Sequence, residues 1–211
     1  MNPLTAKWAA RGSSEWLAHY WASYSAPHRG AIERAMERVA PFKTLIEIGA
    51  NCGPNIRRLS ERWPEADYLA VDANPAAVWH GVAKVAEGGF AAKNVTFWQA
   101  DDFGLQLLSR VGGDGPEVIL SCYALAYADP ETLWRVINVA AAGKRLRALV
   151  LAEPVGAGEL HAPDGLGAID EWHHDYLSLI AETWPGAKVS TDVIDPPADR
   201  LTTVLTVEVP T

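Results

Sequence analysis

The 211-residue chain contains few cysteines and basic side chains, and no long apolar run. Its two cysteines, Cys52 and Cys122, cannot form the disulfide framework that supports small secreted domains. Because 26 acidic residues outnumber 18 basic ones, the formal net charge of -8 argues against a nucleic-acid partner. No apolar stretch approaches the roughly 20 residues that span a bilayer, and the first residues do not resemble a signal peptide. We therefore expect a soluble cytoplasmic protein that acts neither on nucleic acid nor in a membrane.

Two common nucleotide-binding motifs are also absent. The segment "EIGANCGPN" (Glu47–Asn55) has Asn51 and Pro54 where a dinucleotide-binding G-x-G-x-x-G motif would place its second and third glycines. No G-x-x-x-x-G-K-[ST] run, the signature of a triphosphate-binding loop, occurs anywhere. The glycine turn therefore matches neither class of nucleotide site.

From Lys43 onward, short apolar runs alternate with helical patterns. This alternation predicts an α/β fold, a Rossmann-like doubly wound and mostly parallel sheet with helices on both faces. The last two strand patterns, at roughly 187–194 and 201–209, have only the turn-rich "DPPADR" between them. A connection that short requires antiparallel pairing, so we predict a hairpin at one edge of the sheet. Residues 1–42 are predicted to form a helical extension or lid before a single domain over 43–211.

Aromatic residues are concentrated in the N-terminal segment. Trp8, Trp16 and Trp21 fall within the first 21 residues, with Tyr20 and Tyr24 beside them. Two interpretations remain open: packing in a helical layer of the core, or an aromatic lid over a ligand.

The ends of four predicted strands carry a recurring set of residues. The turn after the first strand has the spacing E-x-G-x-x-x-G, and "LAVDANP" ends the second strand with Asp72. "VTFWQADDF" ends the third strand with Asp101 and Asp102, and "VILSCYALAY" contains the fourth. In this order the four segments resemble the motifs of class I S-adenosylmethionine-dependent methyltransferases. The resemblance covers residues 43–211 and implies a seven-stranded sheet of order 3-2-1-4-5-7-6 with its last strand antiparallel.

The resemblance implies S-adenosylmethionine as cofactor and a role for each matching position. Glu47 would orient the amino-acid portion, and the glycine turn would lie beneath it. Asp72 would bind the ribose hydroxyls and Asp101 the adenine amino group, while Ser121 would lie near the sulfonium. The predicted cofactor-binding residues are Glu47, Gly49, Ala50, Asn51, Gly53, Asn55, Asp72, Ala73, Asp101, Asp102, Phe103, Ser121 and Tyr123.

Methyl transfer requires an aligned nucleophile and often a base that removes its proton. His173 and His174 in "EWHHDY" are candidates, on a helix predicted over about 165–184. Glu153 at the end of the fifth strand and His28 in "YSAPHR" are the others. His161 and Asp164 could join the paired histidines on paper, but that spacing matches no recognised metal site, so we predict no metal.

Three later segments carry a narrower resemblance. "VILSCYALAYADPETLWRVINV", "LVLAEPV" and "HDYLSL" resemble bacterial methyltransferases of sugar and surface-glycan biosynthesis, although Ala126-Tyr127 replaces a polar element of that branch. We expect methyl transfer from S-adenosylmethionine to an oxygen or nitrogen of a small molecule, such as a sugar or natural-product precursor. The alternatives are a methyltransferase-like binding module without turnover and an NAD(P)-dependent oxidoreductase. The sequence indicates neither the acceptor nor the oligomeric state.

Overall fold

A computed structural model describes residues 3–104, 117–161, 170–198 and 201–210 of the chain. The helices in these ranges are α1 (Pro3–Ala9), α2 (Ser14–Ala22), α3 (Pro27–Val39), α4 (Pro54–Arg62), α5 (Pro75–Ala86), α6 (Pro130–Ala141) and α7 (Tyr176–Thr183). The strands are β1 (Thr44–Ile48), β2 (Asp67–Asp72), β3 (Val95–Gln99), β4 (Val118–Cys122), β5 (Ala148–Ala152), β6 (Glu159–His161), β7 (Glu171–His173), β8 (Lys188–Ala198) and β9 (Leu201–Glu208).

Seven strands form one sheet in the order β3-β2-β1-β4-β5-β9-β8. The pairs among β1 to β5 are parallel, whereas β9 runs antiparallel to both β5 and β8. The small β6–β7 pair stands outside this sheet, so the order is the predicted 3-2-1-4-5-7-6 with the last strand antiparallel. The predicted doubly wound fold and its edge hairpin are therefore confirmed. β8 is longer than expected: it continues through Ala198, with a register shift after Val193.

Helix starts follow local capping chemistry. The Asn74 side chain accepts hydrogen bonds from the amides of Ala76 and Ala77, and Pro75 opens α5. Asp129 caps α6 in the same way, ahead of a proline at its first position. A side-chain oxygen satisfies amides that the first helical turn leaves unpaired, and proline lacks one such amide. α5 consequently begins close to the end of β2, whereas a turn over residues 123–129 separates α6 from β4.

The prediction of a helix over residues 165–184 is wrong for residues 171–173. Residues 171–173 form β7, which pairs antiparallel with β6, and residues 162–169 lie outside the described ranges. The helix begins only at Tyr176, because the Asp175 side chain accepts the amide of Ser178 and caps it there. His173 and His174 are therefore not neighbours on a helix. The segment "DFGLQLLSRV" (residues 102–111) has a pattern that predicts a short helix, but most of it lies outside the described residues.

Two apolar cores lie on the two faces of the sheet. One core joins Ile48 and Leu149 to α6 and α7, and the other joins Leu45 and Leu120 to α3 and α4. Alternate residues of each buried strand supply the two cores, as a sheet covered on both faces requires. α3 is fastened to β8 by an ion pair between Arg38 and Asp192 as well as by apolar packing.

The described helices include none that is long and apolar enough to cross a membrane.

Candidate cofactor and substrate site

The turn between β1 and α4 is built around left-handed backbone conformations. Gly49, Asn51 and Gly53 have φ angles of 72°, 52° and 86°. A Cβ atom at position 49 would collide with the Cβ of Ala124, so only glycine fits there. Asn51 occupies the conformation that asparagine tolerates better than most residues. The turn thus brings backbone close to the sheet edge where parallel strands end.

Asp72 ends β2 beside this turn. Its carboxylate accepts the amide of Asn51 at 2.7 Å and the amide of Asn74 at 2.8 Å. Burial raises the pKa of the Asp72 carboxyl, although these hydrogen bonds oppose the rise. The Asp72 side chain therefore fixes the conformation of the glycine turn. It also lines a cavity between this sheet edge and the N-terminal helices.

A buried polar chain connects the N-terminal helices to the glycine turn. Arg29, on α3, donates from Nη1 to Asn55 Oδ1 at 2.5 Å, and Asn55 Nδ2 donates to Glu47 Oε1 at 2.6 Å. The other donors of Arg29 bind the carbonyl oxygen of Ser23 at 2.8 Å and its hydroxyl at 2.9 Å. Arg29, Glu47 and Asn55 are all buried. The guanidinium is thus held in place before any ligand arrives.

Glu47 has one carboxylate oxygen that no described residue satisfies. Its Oε2 is buried and without a hydrogen-bond partner in the part of the chain that the structure describes. Burial raises the pKa of this carboxyl to about 7, while the Asn55 hydrogen bond and the Arg29 charge oppose the rise. A buried acceptor without a partner is costly unless a ligand supplies a donor.

The residues that follow β4 form a tight turn held by Glu153. Oε1 of Glu153 accepts the Ser121 hydroxyl at 2.6 Å and the amides of Ala124 and Leu125 at 3.0 and 3.2 Å. Oε2 accepts the Ala126 amide at 3.1 Å. Burial raises the pKa of the Glu153 carboxyl against these hydrogen bonds. Within the described structure, the carboxylate is directed at this turn.

His174 holds the other side of the same turn. Its Nε2 lies 3.2 Å from the carbonyl oxygen of Leu125 and 3.0 Å from that of Ala128, so this nitrogen carries the hydrogen. Burial lowers the pKa of His174. Tyr123 and Tyr127 flank the turn, and Tyr123 adopts a left-handed backbone with φ of 54°.

A cavity of about 670 Å³ opens between this sheet edge and the N-terminal helices. Its volume is typical of a site for a small molecule or cofactor. The sheet side is formed by the glycine turn with Glu47, Asn55 and Asp72, and by the turn after β4. On the opposite side, α2 contributes Trp16, His19 and Tyr20. The neighbouring helices and loops add Trp8, Arg11, Ser23, His28 and Arg29.

The N-terminal aromatic residues divide between the two roles that the sequence left open. Trp8, Trp16 and Tyr20 line the cavity. Trp21 and Tyr24 instead stack on the guanidinium of Arg57, with ring centroids 4.7 and 3.6 Å from its central carbon. Positions 16, 19 and 20 lie on one face of α2, so their helical spacing predicts that these side chains point the same way, but the packing of α2 decides that this face lines the cavity.

Ten of the predicted site residues come together on the cavity wall. They are His28, Glu47, Gly49, Ala50, Asn51, Asn55, Asp72, Ala73, Phe103 and Tyr123. Seven others are not among the described lining residues: Gly53, Asp101, Asp102, Ser121, Glu153, His173 and His174. Gly53 caps α4 instead, and Asp101 is exposed next to the segment 105–116. Ser121 and Glu153 lie beneath the turn after β4.

Glu171 lines the cavity and was not predicted to do so. It is buried at the start of β7, and its Oε1 lies 3.2 Å from Nε2 of His173. The sequence signal, an acid in "EWHHDY", was obscured by the expectation that this segment is helical. His28 also lines the cavity, and burial, reinforced by the Arg29 charge, lowers its pKa to about 4.

No protein-family model and no curated protein matches the sequence. Solved structures do match. An O-methyltransferase family protein from Burkholderia thailandensis aligns with a TM-score of 0.67 at 16% identity, over 92% of this chain and 59% of that one. The sugar N-methyltransferase KedS8 from Streptoalloteichus aligns with a TM-score of 0.63 at 16% identity, over 95% of both chains. The chain has the class I methyltransferase fold.

A third similar structure of this fold contains the cofactor. Magnesium protoporphyrin IX methyltransferase from Synechocystis, with bound S-adenosylmethionine, aligns with a TM-score of 0.56 at 15% identity, over 96% of this chain and 88% of that one. At sequence identities this low, the similarity to these structures supports only the fold. The present chain spans 59% of the length of the Burkholderia protein, which is therefore the larger of the two.

The residues of this methyltransferase fold suit such a cofactor. The unsatisfied Oε2 of Glu47 is an acceptor of the kind that an ammonium group requires, and the backbone at Gly49 leaves no room for a side chain. Asp72 presents carboxylate oxygens to the same cavity, as a pair of ribose hydroxyls requires. Within the described ranges, no group of three or more His, Cys, Asp and Glu side chains could hold a metal ion.

Proposed function

We propose that the chain is an S-adenosylmethionine-dependent methyltransferase that acts on an oxygen or nitrogen of a small molecule. The observation that carries the proposal is the unsatisfied buried carboxylate oxygen of Glu47, a residue that lines the cavity together with the glycine turn and Asp72. An ammonium group beside Glu47 would supply the missing donor, and a ribose beside Asp72 would add its hydroxyl donors to that carboxylate. The cavity is large enough for the cofactor together with a compact acceptor.

The proposed cofactor contacts extend those predicted from the sequence. Glu47, through Asn55 and Arg29, would hold the amino-acid end, and the glycine turn would support it. Asp72 would hold the ribose, and Ala73 and Phe103 would enclose the adenine, with Asp101 and Asp102 at its outer edge. Ser121 and Tyr123 would lie at the methyl end. When bound, the cofactor would supply an electrophilic methyl group, whose bond to a positively charged sulfur breaks as the acceptor's electron pair attacks the methyl carbon.

The chain's own residues would position the acceptor and manage its proton. His28 lines the cavity with a pKa lowered to about 4, so its imidazole is neutral at pH 7 and can accept a hydrogen bond. We place Glu153 and His174 beneath the site, where their hydrogen bonds hold the turn that presents Tyr123 and Tyr127. His173 would act through its contact with Glu171. The aromatic side chains of α1 and α2 would exclude water.

The first test is binding of S-adenosylhomocysteine and of NAD, measured by isothermal titration calorimetry. We expect S-adenosylhomocysteine to bind and NAD to bind far more weakly. Asp72→Asn should weaken the binding of S-adenosylhomocysteine by about 1–3 kcal/mol, roughly a 5- to 150-fold loss of affinity, because a hydrogen-bonded charge is lost from a half-buried position. Asp67→Asn, which removes an exposed charge from the other end of β2, is the matched control.

Two results would contradict this proposal: tight binding of NAD together with no binding of S-adenosylhomocysteine, and an Asp72→Asn variant whose affinity for S-adenosylhomocysteine is unchanged.

Turnover needs a separate assay, in which the protein and methyl-labelled S-adenosylmethionine are incubated with an extract of the producing organism. Labelling of a low-molecular-weight product supports transfer to a small molecule. Tight cofactor binding without any labelled product would favour the alternative of a binding module without turnover.

A further inference from the structure

The side chain of Asn74 fastens the N-terminal segment to the sheet edge where β2 ends. Its Nδ2 donates to the carbonyl oxygen of Trp8 at 3.1 Å and to the carbonyl oxygen of Arg11. Its Oδ1 meanwhile accepts two amides in the first turn of α5, at 2.9 and 3.2 Å. Asn74 is buried, and it lines the cavity. One side-chain amide thus caps a helix and holds the N-terminal segment against it.

Residues 3–12, which are α1 and the turn after it, form a strap between the end of β2 and the turn after β4. On the α5 side the strap approaches so closely that a Cβ atom at Gly12 would lie 3.2 Å from the Cβ of Ala76. On the other side the ring of Trp8 packs on the ring of Tyr127, with centroids 5.2 Å apart. Both of these rings line the cavity. The strap therefore borders the cavity from one strand end to the other.

The backbone of Asn74 connects the strap to the carboxylate proposed for the ribose. The Asn74 amide donates to Oδ1 of Asp72 at 2.8 Å, while Oδ2 of Asp72 accepts the Asn51 amide at 2.7 Å. Asp72 and Asn74 both line the cavity. The residue that holds the strap and the proposed ribose ligand therefore belong to one hydrogen-bonded unit, whose members position each other.

We propose that Asn74 is a positioning residue that closes the strap over the bound cofactor, so that the site exchanges cofactor only while the strap is open. This inference rests on the proposed function, because it describes how the same cofactor is retained. The two hydrogen bonds from the Asn74 amide to the strap are individually weak, so they can break and re-form at room temperature. A ligand beneath the strap favours the closed form, because it makes contacts there that the open form lacks.

The dissociation rate of S-adenosylhomocysteine tests this role. Asn74→Asp keeps an oxygen that caps α5 but has no amide donor for the strap, and Asn74→Ser does the same without adding a charge beside Asp72. From both variants the radiolabelled ligand, chased with an excess of unlabelled ligand, should dissociate at least about tenfold faster than from wild type. Asn94→Asp is the matched control and should leave the rate unchanged. The Asn94 amide donates to Asp67 at the exposed far end of β2, at 2.7 Å, so this change also places a carboxylate beside an aspartate.

Limited proteolysis reports on the strap itself. Trypsin cleaves after lysine and arginine, and the strap contains Lys7 and Arg11. Saturating S-adenosylhomocysteine should slow cleavage at these two sites in wild type by at least about tenfold, because cleavage requires the open form. Asn74→Asp and Asn74→Ser should be cut there faster than wild type and should lose most of the protection, whereas Asn94→Asp should behave as wild type. Mass spectrometry of the shortened chain identifies the two cuts.

Equal dissociation rates in wild type and Asn74→Asp overturn the inference, as does strap cleavage in wild type that the ligand does not slow. Faster dissociation with unchanged strap cleavage overturns it too, because Asn74 would then act only through Asp72. If Asn74→Asp does not fold, Asn74→Ser and the wild-type protection still decide. Failure of wild type to bind S-adenosylhomocysteine contradicts the proposed function, whereas binding that leaves the strap unprotected contradicts only the role of the strap.

Discussion

At the scale of one residue, the burial of Glu47 beside the cavity lowers the stability of the folded protein at neutral pH. Its carboxyl is buried, one oxygen has no partner among the described residues, and its pKa rises from 4.5 to about 7. The native state therefore retains a proton that the unfolded chain loses between those two pH values. Stability from this group is complete below about pH 4.5 and falls as pH rises through 7.

Glu47→Gln should remove that pH dependence. Relative to wild type, its free energy of unfolding should improve by about 1–3 kcal/mol between pH 5 and pH 8, because glutamine has no charge to bury. Urea unfolding at the two pH values measures the difference. Glu61→Gln removes an exposed acid from α4 and serves as control. An identical pH dependence in wild type and Glu47→Gln would show that Glu47 is already ionised in the folded protein at pH 5.

At the scale of elements, the turn after β4 depends on two distant segments. Glu153, at the end of β5, accepts the amides of residues 124–126, and His174, after β7, faces the carbonyl oxygens of Leu125 and Ala128. Side chains from these two segments thereby bind amides and carbonyl groups of the turn. Turns that carry functional residues gain their position from rigid neighbours of this kind.

His174→Phe should destabilise the protein by about 1–3 kcal/mol. Phenylalanine can keep the stacking on Trp172, whose ring centroid is 5.9 Å away, but it leaves two buried carbonyl groups without their donor. His80→Phe is the matched control, since Nε2 of His80 has no partner in the described structure and its loss should cost much less. Thermal and urea unfolding compare the variants, and equal losses would argue against a specific role of the His174 hydrogen bonds.

At the scale of the whole molecule, the cavity is closed by parts of the chain that lie far apart in sequence. α1 and α2 supply its aromatic side, while α3 both carries Arg29 into the site and packs in the core beside β8. Of the predicted extension over residues 1–42, α3 thus shares a core with the sheet. The division at residue 42 stays a prediction about domain organisation.

Ligand binding should therefore stabilise the molecule as a whole. S-adenosylhomocysteine at 100 times its dissociation constant should add about 2.7 kcal/mol to the free energy of unfolding. For a chain of this size that corresponds to a Tm rise of roughly 5–10 °C, measurable by differential scanning fluorimetry. NAD at equal concentration should give no comparable rise, and Asp72→Asn should reduce the shift. An equal rise with NAD would oppose the proposed cofactor.

The strand–helix alternation, the edge hairpin and the helix caps were determined by local sequence, because apolar periodicity, capping side chains and short connections act over a few residues, whereas the sheet order was implied by the resemblance to a known family. The positions of Glu47, Gly49 and Asp72 could also be read from the sequence, since they lie at or next to the carboxyl ends of β1 and β2, and the resemblance implied their roles. Glu171 could not: it reaches the cavity only because residues 171–173 pair with 159–161 instead of continuing the helix expected there. The selection of Trp8, Trp16 and Tyr20, but not Trp21, for the cavity was likewise decided by how α1 and α2 pack over the sheet. Contacts between distant segments carry no local signal, so only the tertiary structure brought these residues together.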